Sequence, residues 1–162
     1  MSKLFTNIEC LDIINQTENL NNWSHHQSDN LYSYRACNVD LNDIYKNKIK
    51  TYCIDVLNLD LKNVKSLILK YLPSDFFAKH VDNDINSEFN RDFMFNLNMR
   101  LNDDYIGGDF YLDDTKLKKP IGTLYHYSSD TPHEVTPMVS GIRYSVLFYI
   151  RTRDLNHKIS LI

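Results

Sequence analysis

Cysteine is scarce in this 162-residue chain. Cys10, Cys37 and Cys53 are odd in number, far apart, and contain no Cys-x-x-Cys pair. A disulfide framework is therefore not expected, and a reducing, cytoplasmic setting is. Positive charge is not in excess either, since 18 Lys and Arg stand against 21 Asp and Glu for a net charge of -3. A protein that gripped nucleic acid by bulk electrostatics would carry a basic stripe. The nearest approach, Lys116, Lys118 and Lys119, reads as a solvated turn, so no nucleic-acid partner is expected. No apolar run approaches the length of a membrane span. Residues 1–20 place Glu9, Asp12, Asn15 and Glu18 among the apolar positions, unlike a signal-peptide core. Repeats, linkers and low-complexity tracts are also missing, and no Ser-His or Cys-His arrangement suggests a nucleophilic enzyme.

What is present is ordinary in bulk and specific in detail. Hydrophobic residues make up 43% and charged residues 24%, the balance of a globular protein able to bury its own core. Thr6-x-x-Glu9, followed by Ile8, Leu11 and Ile14, predicts a capping box opening an amphipathic helix that fades near residues 19–22. A second helix is expected over about 42–57, with Ile44, Ile49, Cys53, Val56 and Leu57 on one side. Between the helices, residues 31–39 alternate as a strand.

Beyond residue 63 the pattern turns to short β-like runs at 64–72, 76–82, 93–101, 109–112, 123–127, 133–135 and 142–151. Turn signals such as Pro73-Ser74-Asp75, Gly107-Gly108 and Ser140-Gly141 separate them. Seven or eight such strands predict a barrel or jelly roll, with the helices packed on one outer face. One domain is expected over 1–162, with helical support to about residue 62 and a β core over about 63–153.

His80-x-Asp82 puts an imidazole and a carboxylate on the same side of a predicted strand. His133, about fifty residues later, supplies a third ligand from another strand. Two histidines and one carboxylate form a facial triad that leaves three positions of an iron ion open, enough for a bidentate 2-oxo acid and dioxygen. The pair alone is weak, because such tripeptides occur by chance. Arg143 strengthens it: the residue opens a strongly apolar run, and a guanidinium there is costly to bury without an anion. The distal carboxylate of 2-oxoglutarate is such an anion, and Ser145 shares the same face of the strand. The bland alternatives are an arginine that reaches solvent or pairs with an internal Asp.

Together, Tyr71, His80-x-Asp82, Leu101-Asn102, Gly107-Gly108-Asp109-Phe110, His133-Glu134-Val135-x-Pro137 and Gly141-x-Arg143-Tyr144 resemble the prolyl 4-hydroxylase-like Fe(II)/2-oxoglutarate dioxygenases. The resemblance runs over residues 67–151 and implies a double-stranded β-helix. It further implies His80, Asp82 and His133 as iron ligands and Arg143 as cosubstrate anchor. Tyr71 would line the pocket, against the plain alternative of a core aromatic. The implied reaction is hydroxylation with release of succinate and carbon dioxide, with ascorbate keeping the iron reduced. A prolyl residue of a protein or peptide is the leading substrate; a free amino acid, another small molecule, or a non-catalytic cupin-like role are the alternatives. One departure stands out. Asn96, Asn98 and Arg100 replace the aliphatic or tyrosine residues usual before Leu101-Asn102, so an inward-facing set would make the pocket unusually polar. Of the other histidines, His25-His26 reads as a solvated loop pair, His126 as a residue near the barrel mouth, and His157 as surface.

Overall fold

The computed structural model describes residues 3–82, 93–151 and Leu155. In chain order the elements are α1 (Asn7–Leu20), β1 (Ser24–Ser28), β2 (Tyr32–Val39), α2 (Asp43–Leu57), β3 (Ser66–Tyr71), β4 (Phe76–His80), β5 (Phe93–Arg100), β6 (Ile106–Gly107), β7 (Phe110–Leu112), β8 (Thr115–Lys116), β9 (Leu124–Ser128), β10 (His133–Val135), β11 (Met138–Ser140) and β12 (Arg143–Arg151). The strands pair in the order β8-β7-β10-β4-β2-β3-β12-β5-β9, with β1 on the flank of β2 and a separate β11–β6 ladder. All pairings are antiparallel.

Strand alternation sorts the side chains into two cores. From β12, Tyr144, Val146, Phe148 and Ile150 face the helices, where they join Ile68, Leu97, Met99, Cys10, Ile13, Ile49 and Cys53. The opposite face of the sheet carries Ala36, Leu69, Tyr71, Phe110, Tyr127, Val135, Met138 and Leu147. Phe110 near one end of the strand order lies 6.0 Å from Tyr127 at the other. The sheet therefore curls until its two ends face each other around the second core. The architecture is a double-stranded β-helix with two helices on its outer face.

Both helices form where expected, but each buries only part of the expected stripe. Thr6 caps α1 through the anticipated box with Glu9. The buried residues are Cys10, Ile13 and Thr17, with Ile14 against the core, whereas Ile8 and Leu11 are exposed. In α2, Tyr45, Ile49 and Cys53 are buried, while Ile44 and Val56 point outward. The faces are set by tertiary contacts: Asp12 accepts from the Tyr45 hydroxyl, and Glu18 accepts from Lys70 and from the Tyr144 hydroxyl. All three cysteines are free and buried, as anticipated.

Four short strands were not anticipated. The polar segment Ser24–Ser28 is a strand, β1, because it pairs residue for residue with β2, not because its side chains alternate. His25 and His26 on it remain exposed, with His26 stacked on Tyr34. The others, β6, β8 and β11, are two or three residues long. No described helix is long and apolar enough to cross a membrane.

Candidate metal centre

Strands β4 and β10 are neighbours, and their register sets His133 directly opposite His80. Opposed residues of an antiparallel pair project to one face, so the two imidazoles meet with ring centroids 4.2 Å apart. Asp82 is not on the strand, which ends at His80. It sits in the bend that follows, where its backbone N–H donates to the Ser129 carbonyl at 3.0 Å. Its side chain still faces the histidines, with Oδ1 3.3 Å from His80 Nε2 and Oδ2 3.5 Å from His133 Nε2. Among the described residues these three form a group whose donor atoms lie within 4.8 Å of one another.

The second nitrogen of each ring fixes which atom is available. His80 Nδ1 lies 2.8 Å from the Ala78 carbonyl and His133 Nδ1 lies 2.9 Å from the Thr131 carbonyl. A carbonyl oxygen only accepts, so each Nδ1 carries the proton and each Nε2 keeps its lone pair. Burial pushes the His133 imidazole below the ordinary histidine value, with His80 acting the same way against an opposing pull from Asp82. A neutral ring with a bare Nε2 is the form that binds a metal. Phe77 stacks on His80 at 3.7 Å, and Tyr127 packs against His133 at 5.0 Å. Asn96, fully buried on β5, donates to Asp82 Oδ2 at 2.6 Å and orients the carboxylate.

Beyond this cluster lies a cavity of about 250 Å³ lined by Arg143, Arg100, Asn98, Tyr125, Gly108 and Phe110, among others. Arg143 begins β12 and is only 2% exposed. Its Nη1 donates to Ser145 Oγ at 3.0 Å, and its guanidinium lies 5.2 Å over the Tyr71 ring. Its Nε has no hydrogen-bond partner among the described residues. The side chain does not reach solvent, and among the described residues no carboxylate pairs with it. Gly108, at φ +58°, leaves room for it: a Cβ there would meet Met138 Sδ at 2.3 Å and Arg143 Cδ at 3.0 Å.

Tyr71 is both a core residue and part of the wall of the metal-side pocket. Asn98 lines both compartments, and Arg100 lines the Arg143 cavity. With Asn96 on Asp82, all three residues of the atypical set face inward. His126 points the other way, toward α2, where its Nδ1 lies 2.8 Å from the Tyr52 hydroxyl. His157 lies outside the described residues. The sequence reading did not single out Phe77, Tyr34, Tyr127 or Tyr125, which wall the two compartments. The alternation of Tyr125 and Tyr127 on β9 was the available signal for two of them.

The donor set of two imidazoles and one carboxylate suits Fe(II), and the buried guanidinium, with no described carboxylate on it, suits the far carboxylate of 2-oxoglutarate. His80, Asp82 and His133 are the residues that could hold the metal, and Arg143 with Ser145 the acid.

The family model of the 2OG-Fe(II) oxygenase superfamily matches residues 66–151, more than half of the chain. A PKHD-type hydroxylase from Paraburkholderia xenovorans (strain LB400) is 30% identical over 104 residues, covering 58% of this chain and 46% of that protein. One from Acinetobacter baumannii (strain AYE) shows the same identity and coverage. The chain thus spans about half the length of the curated relatives it matches. Among solved structures, a Pseudomonas putida prolyl-4-hydroxylase superposes with a TM-score of 0.75 at 17% identity, covering 93% of this chain and 90% of that one. The viral collagen prolyl hydroxylase of Paramecium Bursaria Chlorella virus-1, in its 2OG complex, gives 0.73 at 18% identity, with 93% of each chain covered. A Trichoplax adhaerens prolyl hydroxylase, in complex with a hypoxia inducible factor oxygen degradation domain peptide fragment, gives 0.67 at 17% identity, covering 95% and 83%. By the match of its family model, on the fold and donor set described, the chain belongs to the 2OG-Fe(II) oxygenase superfamily.

Proposed function

We propose that the chain is an Fe(II)- and 2-oxoglutarate-dependent dioxygenase that hydroxylates a C–H bond, with a prolyl residue of a peptide or protein as the leading substrate. The observation that carries this reading is the His80, Asp82 and His133 cluster in one compartment and, in the adjoining compartment that shares Asn98 and Phe110 with it, a buried Arg143 whose Nε has no partner among the described residues. When bound, iron and 2-oxoglutarate would supply what side chains lack, the use of dioxygen as oxidant: one oxygen atom goes into succinate as 2-oxoglutarate loses carbon dioxide, and the other becomes the substrate hydroxyl.

The chain's own residues bind and orient. His80, Asp82 and His133 hold the metal on one face. Arg143 and Ser145 fix the distal end of the cosubstrate, and Tyr71 supports the guanidinium from below. Asn96 holds the Asp82 carboxylate at its working angle. The aromatic wall of Tyr34, Phe77, Phe110 and Tyr127 keeps water from the reacting centre. No side chain is required as nucleophile or general base, which agrees with the lack of one in the sequence. An aromatic wall also suits an apolar ring such as proline, and one structural neighbour carries a peptide substrate fragment.

The test is succinate release from iron-loaded protein with ascorbate present, across proline-containing peptides, free amino acids and small molecules. Release that depends on a peptide is expected; release only with free amino acids overturns the prolyl assignment. His133→Ala is expected to abolish succinate formation and metal binding together. Arg143→Ala should chiefly raise the 2-oxoglutarate requirement, and an unchanged requirement removes it from the anchor role.

A further inference from the structure

Two guanidiniums face the cavity that Arg143 occupies. Arg100 ends β5, Arg143 begins β12, and these strands pair so that Ser145 lies opposite Arg100. Arg143 is therefore the next inward-facing position along the neighbouring strand. Both arginines line the same space of about 250 Å³. Both Nε atoms are buried without a hydrogen-bond partner among the described residues. Arg100 is held in place at its other end, where Nη2 donates to the Lys119 carbonyl at 3.0 Å.

A third donor points into the same chemistry. Tyr125 lines the cavity, and its hydroxyl oxygen accepts from the Lys119 backbone N–H at 2.9 Å. A phenol that accepts there keeps its own proton for another acceptor. The carboxylates nearby do not answer these donors. Asp109 is taken by Lys116, and Asp103 is exposed at the rim. Two guanidiniums facing one partly enclosed cavity are unfavourable until an anion joins them.

Resting on the oxygenase reading above, we propose that Arg100 and Arg143 together clamp the distal carboxylate of the 2-oxo acid, with the Tyr125 hydroxyl as an additional donor. Arg100 is then a specificity-determining residue that makes acceptance of the cosubstrate depend on an anionic far end. A 2-oxo acid with an uncharged tail leaves both cations unpaired, and sites built to bind a polar group reject analogues lacking it far more strongly than apolar pockets do.

The experiment is calorimetric binding of 2-oxoglutarate and of 2-oxopentanoate, which lacks the distal carboxylate, to Mn(II)-loaded wild type, Arg100→Gln, Arg100→Lys and Arg143→Gln. Wild type is expected to prefer the diacid strongly. Arg100→Gln should weaken 2-oxoglutarate roughly 10- to 100-fold, the range for a hydrogen bond to a charged group, and leave 2-oxopentanoate unchanged. Arg100→Lys keeps the charge without the Nε–H and should fall between, which also serves if the Gln variant folds poorly. Wild-type affinity for 2-oxoglutarate in both Arg100 variants overturns the clamp while leaving Arg143 as sole anchor. A wild type that binds neither acid overturns the oxygenase reading beneath it.

Discussion

At His80 and His133 the backbone chooses the reactive nitrogen. Each ring gives its Nδ1 proton to a carbonyl two residues earlier, so the lone pairs on Nε2 converge on Asp82. Asp82 in turn depends on Asn96. Outer partners of this kind commonly contribute about 10- to 100-fold to metal affinity. Asn96→Leu should therefore lower Mn(II) affinity by that order while the protein stays folded, as measured by calorimetry and circular dichroism. Unchanged affinity would show that the carboxylate orients itself. Gly108→Ala should cost at least about 1–2 kcal/mol of stability from its left-handed backbone, and the new Cβ, which meets Met138 Sδ and Arg143 Cδ, should also weaken 2-oxoglutarate binding. Chemical denaturation and calorimetry on the same variant separate the two effects. That His80, Asp82 and His133 cluster and that Arg143 is buried could be expected from local signals, but Asp82 reaches the cluster from the bend after β4 and not by strand alternation. The service of Asn96 to Asp82, and of Tyr125 to the arginine cavity, was not, since those partners come from across the sheet.

Helix α1 is tied to α2 and to the sheet by charge as well as by packing. Lys48 lowers the Glu9 carboxyl below its ordinary value, assisted by the Thr6 backbone. Burial works to raise Glu18, but hydrogen bonds from Lys70 and Tyr144 outweigh it and leave it lowered. A carboxyl whose folded value is depressed adds stability that is full above its unfolded value, about 4.3, and is lost as pH falls through the folded value. Stability should therefore drop below about pH 4.5, and Glu18→Gln should flatten that drop in thermal melts taken between neutral and acid pH. An unaltered acid limb would mean that the Lys70 contact contributes nothing. Thr6→Ala removes the capping box and should cost about 1 kcal/mol. The box was readable from four residues, whereas the buried stripe of each helix was readable only in part, at Ile14, Ile49, Cys53 and Leu57. Ile8, Leu11, Ile44 and Val56 satisfy the helical pattern, yet the sheet touches the adjacent faces, and burial follows the contact. Strand β1 was equally hidden, because a polar segment becomes a strand only when β2 offers its edge.

Across the whole molecule, the curled sheet separates two jobs. Its outer face buries aliphatic residues against the helices, and its inner face carries tyrosines, asparagines, histidines and two arginines around an open interior. The sequence allowed the class of fold to be read, since short alternating strands with turn residues between them point to a barrel. The strand order was beyond it. His133 on β10 meets His80 on β4, and β12 lies between β3 and β5, pairings that span tens of residues and leave no local trace. That order brings His80, Asp82, His133 and Arg143 to one side of the curled sheet, in adjoining compartments. It follows that metal and cosubstrate should stabilise the fold together, by about 2.7 kcal/mol for a ligand present at a hundred times its Kd.

The most direct measurement is an anaerobic calorimetric titration of 2-oxoglutarate into the chain, with and without one equivalent of Fe(II). The expected result is a single site per chain that needs the metal and disappears in His133→Ala. Equal binding without metal, or none with it, would contradict a centre in which three side chains and an arginine serve one iron and one oxo acid.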